Sequence, residues 1–213
     1  VCRNLEISVY DEVLTVFSAL AAQERELERQ QTQMQQISGA ALDTLIAQQT
    51  QLRESFERDG GLTFRSRTRS ALLGLGFSEE QLHSRVGILS GGQKAKLQLA
   101  KMLLSGANLM LLDEPTNHLD ISSVEWLEDF LKGYNGAYIV ISHDRYFLDK
   151  VTNRTGELEH HRLTVYNGNY TRSLALKQEA QKAAERRYAN TREEIARLEA
   201  VVAQQRQWNR EKN

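Results

Sequence analysis

The sequence predicts an α/β fold, in which a small parallel βαβ core stands between a helical first part and a long C-terminal helix. Three observations predict it. Residues 109–112 and 137–141 are short apolar runs without interruption, the pattern of strands. Between them Ile121, Val124, Leu127 and Leu131 recur at helical spacing. Strand, helix and strand within roughly 35 residues make a parallel pair with a right-handed crossover. Beyond residue 170 the chain contains neither Gly nor Pro and is rich in Ala, Glu, Gln, Arg and Lys. That composition extends as one helix, on the order of 60 Å if unbroken.

In chain order, Val13, Val16, Phe17 and Leu20 lie on one face of a first helix. The Gln- and Glu-rich stretch to Gln36 continues it as an exposed arm, and Gly39 breaks the run. Leu42, Leu45, Ile46, Gln49 and Leu52 predict a second helix returning along the first. Asp59-Gly60-Gly61 is a loop, and a third helix follows over 64–73. Ser78 and Gln81 have the spacing of a capping box that opens one more short turn. Thus 1–88 is predicted as a helical subdomain with an arm, 89–170 as the α/β part, and 171–213 as a charged helical linker.

The net charge of -1 over 213 residues predicts no overall attraction to nucleic acid or membrane, so any basic surface must be local. A single cysteine, Cys2, excludes an intrachain disulfide framework and fits a reducing compartment. No apolar stretch has the length of a membrane span, and no signal-peptide pattern is seen in the first residues.

Chemistry concentrates at 108–120. The apolar run at 109–112 reads as a strand covered on both faces, and it ends directly in Asp113-Glu114-Pro115. Neighbouring strand residues point to opposite sides, so the two carboxylates take different jobs. Pro115 is expected to keep Glu114 extended. At the tip of a parallel strand, one carboxylate can hold Mg²⁺ while the other faces an attacking water. The alternative is a buried strand that simply ends in a polar loop.

The second strand ends in Ser142-His143-Asp144. Both tips lie on one sheet edge in a βαβ unit, which brings His143 towards Asp113 and Glu114, where it can address a terminal phosphate. Ahead of the first strand, Leu89-Ser90-Gly91-Gly92-Gln93 opens a helix over 94–104. Ser90 and Gln93 form a second capping box, while the paired glycines equally allow backbone N–H groups to approach an anion. Asp120 can cap the crossover helix, turning Ile121, Val124, Leu127 and Leu131 inward.

Further on, 155–158 and 163–166 predict a hairpin with Glu159-His160-His161 in its turn, and these histidines lack partners at metal-ligand spacing. In the last helix Tyr188, Ile195, Leu198 and Val202 keep a heptad-like seam that calls for a partner helix. Its basic residues (Lys177, Lys182, Arg186, Arg187, Arg192, Arg197, Arg206, Arg210, Lys212) suit either a solvated coil or RNA.

Leu89-Ser90-Gly91-Gly92-Gln93, the strand ending Asp113-Glu114, and Ile141-Ser142-His143-Asp144 resemble the signature motif, Walker B and switch histidine of ATP-binding cassette ATPases. The runs 114–120, 142–149 and 166–170 look like the ABC-F subfamily. Its members are cytosolic proteins with two cassettes joined by a charged helical linker, many acting on ribosomes as translation factors or antibiotic-resistance proteins. The resemblance implies a partial P-loop NTPase cassette with ATP and Mg²⁺ as ligands. It implies Asp113 on Mg²⁺, Glu114 as general base and His143 as γ-phosphate sensor. Ser90, Gly91, Gly92 and Gln93 would contact ATP held by the opposite cassette, with Asp120 in the loop that couples the halves. The basic linker would meet rRNA or tRNA.

The chain departs from that family at Lys96, where arginine is usual, and at Ala107, where proline is common. No glycine is followed by lysine, so the phosphate-cradling Gly-x-x-x-x-Gly-Lys-Ser/Thr loop is not in this chain. The expected reading is an internal piece of a first cassette plus part of the linker, inactive towards ATP by itself. Competing readings are the ATPase half of a transporter, a DNA-repair or chromosome-type cassette ATPase, and a helical scaffold with an inert acidic pair.

Overall fold

The structure, a computed structural model, describes residues 5–211, with side chains through residue 202. Cys2 and the side chains of Arg206, Arg210 and Lys212 therefore lie outside the described residues. Two compact units are present, Val1–Phe147 and Leu148–Asn213.

The first unit opens with α1 (Val9–Leu14), capped by Ser8, whose hydroxyl accepts from the Asp11 N–H at 3.0 Å. A 3-10 turn at Thr15–Phe17 separates it from α2 (Ser18–Met34), so the expected first helix is two helices with a tightened joint. The joint lets Phe17 turn into the core beside Phe64. Gly39 (φ 68°) then reverses the chain into α3 (Ala40–Arg58), which packs back along α2 as an antiparallel arm. Most arm side chains are exposed, and Gln49 Nε2 donates to Gln31 Oε1 across it at 3.1 Å.

α4 (Phe64–Gly74) is the hub, packing against α1, α6 (Gly91–Leu104) and α7 (Ile121–Lys132). Phe64 and Leu72 of α4, Leu97 and Leu103 of α6, Met110, and Leu127 and Leu131 of α7 are all fully buried. Gly74 lets the Trp126 ring lie flat on α4, since a Cβ there would fall 2.3 Å from the indole. The short α5 (Glu79–Leu82) carries the predicted Ser78–Gln81 capping box in full. On the α1–α6 contact, Lys101 Nζ meets Glu12 Oε1 at 2.6 Å with the carboxylate almost wholly buried. Lys101→Met strands that charge, and urea unfolding should show a loss of about 3 kcal/mol that Glu12→Gln added in the same chain largely restores.

β1 (Leu109–Asp113) and β2 (Ala137–Ile141) form a parallel two-stranded sheet, in register from Leu109 opposite Ala137 to Asp113 opposite Ile141. β1 was expected to be covered on both faces. Instead, Met110 and Leu112 are buried while Leu111 is 65% and Ile139 55% exposed. An apolar run carries no alternation to say which face is covered. Ile121, expected inward, is 80% exposed, because the packed face of α7 begins at Ser123 and continues through Leu127 and Leu131.

α8 (Arg145–Val151) leads into the second unit. There β3 (Arg154–Glu159) and β4 (Arg162–Asn167) pair antiparallel, with α9 (Tyr170–Glu211) packed on both. The hairpin turn is His160-His161 alone, both at positive φ, as two-residue turns of this hand require. Lys177 Nζ ties α9 to Glu157 Oε1 at 2.6 Å. Farther along, Tyr188, Ile195, Leu198 and Val202 are exposed on α9. Among the described residues no helix is long and apolar enough to cross a membrane.

Candidate functional site

Backbone pairing positions the acidic residues. Asp113 closes the β1–β2 ladder opposite Ile141, and the Glu114 N–H donates to the Ile141 carbonyl at 2.8 Å. This last bond keeps the chain beyond β1 against the start of the Ser142–Asp144 loop.

Glu114 is not extended as Pro115 suggested; its φ is 45°. Its carbonyl accepts from the Asn117 N–H at 3.1 Å, so 114–117 is a β-turn. Proline at the second turn position supplies the required φ, and avoidance of the right-handed helical region before proline leaves the left-handed one open to Glu114. A glutamate at positive φ is strained, and such strain gathers at functional sites. His118, at φ 68°, is a second such residue in the loop.

The turn directs the Glu114 carboxylate at the end of β2. Its Oε1 lies 3.5 Å from His143 Nε2, and its Oε2 faces the His143 N–H at 3.4 Å and the Ser142 hydroxyl at 3.5 Å. These separations are long for hydrogen bonds. The His143 side chain is fully exposed, whereas Glu114 is mostly covered. Asp144 steadies the loop, taking the Phe147 N–H on Oδ1 at 3.1 Å while its own N–H donates to Ser142 Oγ at 3.1 Å.

Ser90 caps α6 with a complete capping box: its hydroxyl accepts from the Gln93 N–H at 3.2 Å and its N–H donates to Gln93 Oε1 at 2.9 Å. Gly91 has open space where a Cβ would be, so a ligand can reach the backbone there. Gly92 faces His118, whose Cβ would lie 3.5 Å from a Cβ added to that glycine. A cavity of about 530 Å³ separates α6 from the strand tip, lined by Lys96, Leu99, Asp113, Glu114 and His118 among others.

Asp120 caps α7 through Oδ1, which accepts the Ser123 N–H at 2.8 Å and the Ser122 hydroxyl at 2.9 Å. The Ser123 N–H chiefly, then the Ser122 hydroxyl and more weakly Lys96, hold its carboxyl down to about 2 from an ordinary 3.8. A lowered folded value stabilises above the unfolded one and is lost as pH falls through the folded one. The cap contribution should therefore fade between pH 3.8 and about 2, and Asp120→Asn should remove that part of the acid-unfolding profile.

Among the described residues no three His, Cys, Asp or Glu side chains cluster as a metal cage. Mg²⁺ does not need one, since it keeps waters and takes one or two carboxylates beside substrate phosphates. Asp113, exposed at the strand tip, fits that role; the ion would supply charge to phosphate oxygens.

Sequence reasoning missed the Lys96–Asp120 pair and the His118–Gly92 contact. The unusual lysine at 96 was the signal for the first; nothing in the residue order marked the second.

An ABC transporter family model matches residues 4–117, and a second, an extension also described as ABC transporter, matches 156–213. YdiF of Bacillus subtilis (strain 168), an ATP-binding protein by its name, is 42% identical over 161 residues, covering 76% of this chain and 25% of that protein. YheS of Escherichia coli (strain K12), also named as ATP-binding, is 43% identical over 141 residues, 66% of this chain and 22% of its own length. The chain thus spans about a quarter of the length of these relatives. The dimeric structure of MJ0796, a bacterial ABC transporter cassette, is similar over 48% of this chain and 46% of that one, at 24% identity and a TM-score of 0.41. The chain belongs to the ABC transporter family, as part of an ATP-binding domain of the ABC-F type.

Proposed function

We propose that the chain is part of a cytosolic two-cassette ATPase that hydrolyses ATP and acts on the ribosome, as a translation factor or a ribosome-protecting resistance protein. The observation that carries the hydrolytic reading is the meeting of Glu114 and His143, from the ends of two paired strands, at 3.5 Å. In this reading Glu114 is the general base that aligns and deprotonates water, and His143 addresses the terminal phosphate. Asp113 holds Mg²⁺, and Ser90, Gly91, Gly92 and Gln93 meet ATP bound by a second cassette, with Asp120 at the junction between halves.

Residues 1–88 then form the helical and arm part of a cassette, 89–170 the part bearing the chemistry, and 171–213 the start of an interdomain linker. Because this chain has no Gly-Lys pair, the loop that cradles ATP comes from outside it and the chain by itself is inactive. The ribosomal part of the reading is supported by the ABC-F-like runs and the basic residues of α9.

Co-sedimentation tests it. In the full-length protein carrying Glu114→Gln, ATP should hold the protein on ribosomes in sucrose gradients. Recovery with membranes or DNA and not with ribosomes would overturn the assignment.

A further inference from the structure

Three elements converge at Gly76. A Cβ built on Gly76, which turns the chain after α4 at φ 83°, would fall 3.0 Å from Ser123 Oγ, 3.1 Å from Asp120 Oδ2 and 3.1 Å from Lys96 Nζ. The Lys96 side chain is only 14% exposed, and its ammonium is 3.9 Å from Asp120 Oδ2. Asp120 uses its other oxygen to cap α7, so Oδ2 stays available to α6.

Lys96 shares a rigid helix with the Ser90–Gln93 turn, and Asp120 closes the loop that starts at Glu114. Between α6 and the strand tip lies the cavity of about 530 Å³, so continuous side-chain packing does not join them there. The charge pair at Lys96–Asp120 and the approach of His118 to Gly92 bridge that gap.

We propose that Lys96 is a positioning residue: it yokes the Ser90–Gln93 turn to the Glu114–Asp120 loop, so that phosphate engagement at the glycines sets the Glu114 carboxylate for attack. In this reading Lys96 acts through Asp120, although it also lines the cavity beside Asp113 and Glu114. The inference rests on the hydrolytic reading of Glu114. It predicts that loss of the charge lowers turnover and leaves ATP capture intact, because Lys96 controls alignment of the base.

The test measures kcat and KM for ATP in the full-length protein with Lys96→Met, Lys96→Arg and, as control, Glu114→Gln. Lys96→Met should lower kcat about ten-fold or more with KM unchanged, within the roughly 10²-fold that a 1 Å misplacement can cost. Lys96→Arg, which keeps the charge, should restore most of the rate. If Glu114→Gln turns over like wild type, the hydrolytic reading itself fails. If that control is inactive but Lys96→Met keeps wild-type kcat, shifts KM in parallel, or is not rescued by arginine, the positioning role alone is overturned. Should circular dichroism show Lys96→Met unfolded, Lys96→Gln, of similar length and neutral, is judged by the same criteria.

Discussion

Phe64→Ala should lower the unfolding free energy by about 4 kcal/mol, the cost of truncating a fully buried aromatic. Phe64 is the first residue of α4 and has no exposed surface. Phe17 meets its ring edge-on at 5.8 Å, and Phe56 does so at 6.3 Å. It therefore binds together the α1–α2 joint, the end of α3 and the start of α4. The Phe56 ring in turn packs over Gly61, where an added Cβ would fall 2.4 Å from it. Phe64→Leu keeps most of the volume and should cost about 1.5 kcal/mol. Urea unfolding of the three chains checks the order. An alanine variant within about 1 kcal/mol of the parent would contradict this account of the core.

The second large effect is on chemistry. Glu114→Gln in the full-length protein should slow ATP hydrolysis about 10³-fold, the usual scale for removing a general base. The amide matches the carboxylate in shape, so the turn at 114–117 and the approach to His143 survive. What is lost is the ability to take a proton from water. ATP binding should persist, because the glycine turn and Asp113 are unchanged. Rapid-quench measurement of a single turnover separates the two steps; weakened binding at an unchanged hydrolysis rate would remove Glu114 from the role of base.

Local hydrogen-bond chemistry was legible in the residue order. Ser78, Ser90 and Asp120 each stand where their side chains cap a helix, and each does so. The βαβ unit was equally legible, since two apolar runs flanking one amphipathic helix leave few other topologies. From it followed the approach of His143 to Glu114, seen at 3.5 Å.

The backbone at Glu114 was not legible. The rule for residues before proline speaks of extended chain, and here a hydrogen-bonded turn selected the left-handed alternative. The open face of β1 was hidden for another reason: Leu109 and Leu111 look like Met110 and Leu112 in sequence, and which face is covered depends on what packs there. The Lys96–Asp120 pair depends on the turn at Gly76, and long-range convergence of that kind leaves no periodic trace.

Structure determination of the full-length Glu114→Gln protein with ATP and Mg²⁺ tests the central claim most directly. The terminal phosphate should lie between the two strand tips. The substituted amide and the His143 ring should both be within hydrogen-bond reach of that phosphate or of its attacking water. A terminal phosphate bound elsewhere, with these two side chains on unrelated surfaces, would contradict the claim.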